Sequence, residues 1–333
     1  MDVTSWLFLA AYTCSGLAGL VYEVTWTRLL TLYLGHTTAA RSAVVAAFLG
    51  GLANGAALGG RLASAWTPRR CLQAYVALEI AVAICALLLP LELSMFTPVL
   101  RWAYNDSAAL FPLIRILSCI VMVMLPALAL GATFPMAIRW FARESEEPAR
   151  ESSRLYFVNT VGAAIGALLA GFVLIPSIGM SGTIYVAMGG TILAAGCVLA
   201  VLTADRSPDI TPPLALSDVP PRMPRRHGVE GWLAMTILGV SGFAALVHEI
   251  AWTRILSLVL GPTTYAFAAT LAAVIAGVAI GSGIGSVLIS SRANKAAGML
   301  AFTLSLAAVT ASWTYAAAGS RVPMMVARQV ADF

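Results

Sequence analysis

The chain carries little charge and almost no lysine: of its 333 residues 11% are Asp, Glu, Lys or Arg, the only lysine is Lys295, and histidine occurs three times. Soluble domains carry roughly a quarter charged residues, so a water-facing globular surface is excluded for most of this sequence. Cysteine is equally uninformative as chemistry. Cys14, Cys71, Cys85, Cys119 and Cys197 lie in or at the ends of apolar stretches without CxxC or Cys/His spacing, which argues against a disulfide framework or a structural zinc site. No basic patch sits on a soluble domain, so nucleic-acid binding has no support. No soluble strand–Gly-loop–helix unit is present either, and no cofactor, metal or catalytic signature is read within residues 1–333.

What the chain has is apolar length. It is 60% hydrophobic with a mean hydropathy of +0.88. Runs long enough to cross roughly 30 Å of hydrocarbon fall near 6–34, 39–62, 72–90, 113–138, 155–175, 182–203, 229–260, 264–290 and 296–317. The expected fold is therefore all-α, a polytopic transmembrane bundle of about nine spans. The first span does not read as a cleaved leader, because Asp2 and no Lys or Arg precede it and a near twin lies deep in the chain.

That twin is an internal repeat. Residues 15–38, SGLAGLVYEVTWTRLLTLYLGHTT, and residues 241–264, SGFAALVHEIAWTRILSLVLGPTT, are identical at 15 of 24 positions at a constant offset of 226. The match keeps charge: Glu23 maps to Glu249, Trp26 to Trp252 and Arg28 to Arg254. Ionisable residues inside an apolar span are costly, so two copies imply a retained role. The register continues, with Gly51, Gly55 and Gly59 falling on Gly277, Gly281 and Gly285. Small residues spaced by four permit close helix approach. The segment Gly281-Ser282-Gly283-Ile284-Gly285 resembles a nucleotide loop only superficially, since no strand precedes it.

The repeat predicts tandem six-helix units: residues 1–203, a Pro-rich polar connector at 204–228, and 229–333 as a second unit of three helices, hence incomplete. With the N-terminus inside, most arginines outside the repeated helices lie in inner loops, among them Arg61, Arg69, Arg70, Arg139, Arg143, Arg150, Arg154, Arg222, Arg225 and Arg226. The positive-inside rule thus orients the protein with a cytoplasmic N-terminus in an inner membrane.

Three stretches carry a family resemblance: the SGxAxLVxExxWTRxLxLxLGxTT segment in both copies, LPALALGATFPM at 125–136, and LYFVNTVGAAIGALLAGFVLIPSIGMSGT at 155–183. The chain resembles the membrane portion of the fused major-facilitator/spermidine-synthase family. The resemblance implies a major-facilitator-like bundle, with the first helix of each unit lining a central cavity. It also implies three further helices and an aminopropyltransferase-like domain downstream, as partners that residues 1–333 do not contain.

On that arrangement Glu23 and Glu249 face one another across the pseudo-two-fold axis. They would bind a polyamine or other cationic amine, with Trp26 and Trp252 as cation–π faces, or carry a proton. Equally open is a structural role in which each Glu neutralises an arginine or caps a broken helix. Glu23 and Arg28 are about 140° apart around one helix, so a cross-unit Glu23–Arg254 pair is the better charge pair. Arg28 and Arg254 also sit where a long cation can snorkel. Glu79, in the third span, is a further candidate, matched by Ser305 in the second unit. Asn54 and Asn159 are read as interhelical hydrogen-bonding residues, His248 as a packing residue, and Pro126, Gly131 and Pro135 as a kink. The two functional expectations are alternating-access transport and a non-transporting scaffold for an aminopropyltransferase domain.

Overall fold

The computed structural model describes residues 3–34, 38–107, 109–143, 145, 148–205, 229–259, 264–291 and 296–331, and every element among them is helical. The connector after Asp205 lies outside the described residues. The helices are α1 (Val3–Leu34), α2 (Thr38–Ala65), α3 (Pro68–Asp106), α4 (Phe111–Phe141), α5 (Pro148–Leu168), a π-helical stretch (Leu169–Leu174), α6 (Ile175–Ala204), α7 (Val229–Val259), α8 (Thr264–Ser291) and α9 (Ala296–Ala331). This is an all-α, polytopic helical membrane protein.

The repeat offset reappears in the helix ends. Shifting α1 by 226 gives 229–260 against an observed Val229–Val259, α2 gives 264–291 and is observed there, and α3 gives 294–332 against Ala296–Ala331. Two crossings are hidden in the apolar stretch Arg150–Ala204, whose 55 residues would extend about 80 Å as one straight helix. Gly166 of α5 abuts Leu17, while Gly190 of α6 abuts Ala18, so both helices pass α1 at the same height. The chain must turn back between them. It does so at Gly179, whose φ of 71° is the only positive value among the described residues and is open to glycine without steric cost. Among the described residues nine apolar helical runs result, the number that the sequence predicts.

One expected boundary is wrong. The third span, read as ending at 90, continues as helix through Pro90 and Pro98 to Asp106. Proline is tolerated within membrane helices: Pro90 and Pro98 each forgo one hydrogen bond, to the Ala86 and Ser94 carbonyls, without ending α3. Pro126 and Pro135 are likewise contained within a continuous α4. Gly131 serves close packing there, because a Cβ on it would collide with the Leu52 carbonyl.

Helices α2 and α4 form the closest pair. A Cβ on Gly51, Gly55 or Gly59 would run into Ala127, Leu128 or Ala132 of α4. Helix α1 is gripped by α5 and α6, and α3 lies on α4 and α6. At one end Phe8, Tyr12, Tyr75, Trp140 and Phe141 form an aromatic cluster, with Phe8 and Trp140 centroids 4.8 Å apart. Across the repeat boundary α5 packs on α8, and Phe267, Leu271 and Ala272 of α8 join the buried cluster of Val21, Trp26 and Phe48. Helix α9 has α7 as its main neighbour.

The α2–α4 contact yields the first prediction. Gly55→Ala should destabilise the purified protein by about 1–3 kcal/mol, whereas Gly196→Ala, whose Cβ meets nothing within 4 Å, should be neutral or gain up to about 1 kcal/mol. Thermal unfolding in detergent micelles compares the two; equal melting temperatures would contradict the packing.

Candidate functional site

Glu23 lies on α1 in the row formed with Gly16, Gly19 and Trp26, the face that three-and-four spacing gathers together. Small residues on this face let α5 and α4 approach: Gly16 abuts Asn159 and Gly19 meets Leu130. The carboxyl is 7% exposed. Its repeat counterpart, Glu249, stands on α7 across the repeat boundary. Glu249 itself is half-buried.

The two tryptophans diverge. Trp26 is 2% exposed, its ring stacks on Tyr22 at 5.0 Å, and its buried Nε1 has no hydrogen-bond acceptor. Trp252 is half-buried and lines a cavity of about 440 Å³ between α7 and α9 with His248, Ser312 and Tyr315. Arg28 is half-buried and Arg254 exposed. Two smaller expectations change. The Asn54 amide donates to the Gly50 carbonyl of its own helix at 2.8 Å rather than across helices. His248 is exposed, with Nδ1 2.7 Å from the Ala244 carbonyl, rather than packed.

Glu79 occupies a separate, closed place between α1 and α3. It is 1% exposed, and the Ser15 hydroxyl donates to its Oε1. Tyr75, one turn earlier on α3, points its hydroxyl towards the same carboxyl without closing a hydrogen bond, so Tyr75 Oη and Glu79 Oε2 stay unpaired. Tyr12 completes the pocket, its ring centroid 6.0 Å from that of Tyr75. Buried polar atoms are normally satisfied, which sets this cluster apart from the surrounding core. Sequence reasoning found Glu79 but missed Ser15, Tyr12 and Tyr75. The i, i+4 relation of Tyr75 and Glu79 was a usable signal, because it puts both on one face.

Asp205, read as part of the connector, closes the end of the bundle where α1 begins. Its carboxylate pairs with Arg143 at 3.0 Å and accepts from Trp140 Nε1 at 2.8 Å, and its carbonyl accepts from Arg69 at 3.1 Å. Arg143 also lies over the Trp140 ring at 4.6 Å. The last described residue before the connector therefore ties α3, α4 and α6 together.

Comparison of the chain with protein-family models, curated proteins and solved structures finds no match. The site is interpreted from its own geometry.

The Ser15–Glu79 hydrogen bond sets a second prediction. Ser15→Ala should cost about 1–3 kcal/mol by leaving a buried carboxyl oxygen unsatisfied. A double-mutant cycle with Glu79→Gln in unfolding experiments should return a coupling on the order of 1 kcal/mol. Strict additivity of the two changes would show that the contact contributes nothing.

Proposed function

We propose that this protein is a major-facilitator-like membrane transporter of cationic amines, polyamines included, with Glu23 and Glu249 as the cation-binding pair. The observation that supports the reading is the repetition of the acid itself, Glu23 on α1 and Glu249 on α7, each within an apolar span and neither of them exposed. An acid kept in an apolar span by both copies of a duplicated helix is costly, and a substrate or coupling proton is what such residues usually serve. Inverted or tandem repeats with a site at their interface are the common plan of secondary transporters. Packing of α5 on α8 across the boundary agrees with two units that rock about a shared contact. The sequence resemblance to the fused major-facilitator/spermidine-synthase family points to the same substrate class, with an aminopropyltransferase-like domain as a partner downstream.

The same reading places the protein in an inner membrane with its N-terminus in the cytoplasm. Supporting it, the end of the bundle at which α1 begins gathers Arg69, Arg70, Arg139, Arg143 and Arg154, several of them against Trp66, Trp140 and Trp6 at 4.6 to 5.2 Å. Cationic and aromatic residues at one interface suit the cytoplasmic side. Trp26 acts within this scheme as a wall, since its ring is already covered by Tyr22.

Proteoliposomes supply the test. Protein-dependent uptake of labelled spermidine is expected, and Glu23→Gln and Glu249→Gln should each lower it at least about tenfold, the loss that follows from one charge-assisted contact. Gly196→Ala should retain uptake. If wild-type protein gives no uptake, or Glu23→Gln leaves it unchanged, the transport reading fails and the scaffold role for an aminopropyltransferase domain takes its place.

A further inference from the structure

Glu79 has no part in the proposed amine site. Its carboxyl is 1% exposed and accepts one hydrogen bond, from the Ser15 hydroxyl of α1. Its second oxygen and the hydroxyl of the wholly buried Tyr75 have no partner among the described residues. Tyr12, also buried, closes the space from the α1 side, and the Phe8 ring lies as near, 6.0 Å from that of Tyr75.

The offset of 226 shows that these side chains belong together. Tyr12, Tyr75 and Glu79 fall on Leu238, Ala301 and Ser305, while Ser15 falls on Ser241. The second unit thus lacks the acid and both phenols at once. An acid and two phenols present together in one copy and absent together from the other act as one group.

No cation offsets this acid. Among the described residues Glu79 makes no ion pair. On α3 the flanking charges, Arg70 and Glu92, stand about 14 and 20 Å away along the axis, and on α1 Glu23 stands about 12 Å beyond Ser15. Helix α4 carries Arg115 and Arg139 towards its two ends, and α6 carries no Asp, Glu, Lys or Arg. The other titratable groups beside the site are neutral: Tyr12, Tyr75 and the Cys14 thiol, which donates to the Gly190 carbonyl of α6 at 3.5 Å. An ionised carboxylate without a counter-charge in an apolar core is so costly that the group takes up a proton instead. A metal ion is the poorer answer. It would need a shell of about six oxygen ligands, whereas Glu79 is the single carboxylate of this cluster, and a proton needs no space.

We propose that Glu79, with Ser15, Tyr75 and Tyr12 around it, is a proton-binding site, its carboxyl held in the closed bundle as the neutral acid. The Ser15–Glu79 bond and the Tyr12–Tyr75 contact join α1 to α3. Loading the site therefore fastens these helices, and loss of the proton, which leaves a bare charge in the same place, favours their separation. The inference concerns the first unit alone and is independent of the transport reading.

Infrared difference spectroscopy of the purified full chain in lipid nanodiscs tests it. At neutral pH, where exposed glutamates with a pKa of about 4.3 absorb only as carboxylates, wild type minus Glu79→Gln should show the C=O stretching band of a protonated carboxyl. Ser15→Ala removes a hydrogen bond from that C=O and should move the band to higher frequency without abolishing it. If Glu79→Gln does not yield folded protein, the wild type minus Ser15→Ala spectrum decides by the same shift. A spectrum in which Glu79→Gln or Ser15→Ala alters only carboxylate bands would overturn the proposal, and so would an acid band that appears only when sodium is withdrawn.

Discussion

Helices that already lie in a bilayer gain little by hiding apolar surface from one another, because acyl chains are as apolar as leucine. What holds this bundle is close approach. The α2–α4 seam depends on glycines that leave room for the opposing carbonyls and alanines, and α1 is held by the same device, Gly162 and Gly166 of α5 abutting Thr13 and Leu17. Backbone-to-backbone distance then fixes everything mounted on α1, from the aromatic cluster at one end to Glu23 near its middle. Polar contacts between helices, among them Ser15 to Glu79, Thr191 to Tyr22, and Asp205 with its two arginines and a tryptophan, supplement these seams. Each joins different helices, so each selects one register among those that the glycine seams would permit.

Much of the fold was legible in the sequence because a repeat supplies its own control. Length and hydropathy alone leave helix ends uncertain, yet α2 and α8 begin and end at the same offset that the Glu-Trp-Thr-Arg motif defines. The turn at Gly179 was legible as a gap between two apolar runs, although the helical backbone is nearly continuous through it. The stop at Pro90 was misread, since a proline in a membrane helix loses one hydrogen bond and need not end the helix. The site was legible in part. Periodicity put Glu23 on a packed face, but it gives no azimuth between helices, so the pairing of Ser15 with Glu79 and the differing exposure of Trp26 and Trp252 could not be read from one chain. Asp205 was lost to composition, because it opens a polar, Pro-rich stretch and resembles it locally.

The two units are also unequal in how they are held. In the first, α1 touches α5 and α6 along much of its length; in the second, α7 and α9 lean on each other through few residues. Local stability follows contact density, so Glu23 sits on the more firmly held helix and Glu249 on one with fewer neighbours among the described residues.

Between the repeats α8 packs on α5 and on the π-helical stretch, where the Phe172 and Tyr265 centroids are 5.4 Å apart. The reversal at Gly179 lies within Ile175–Ala204, and the helices on either side of it clasp α1. Helix α1 and the two crossings that hold it therefore form one packed body on the first-unit side of that contact. With Pro176 three residues before it, the reversal at Gly179 combines a residue of fixed φ with one that tolerates a positive φ, so the two crossings that clasp α1 are joined by a turn with few alternative conformations.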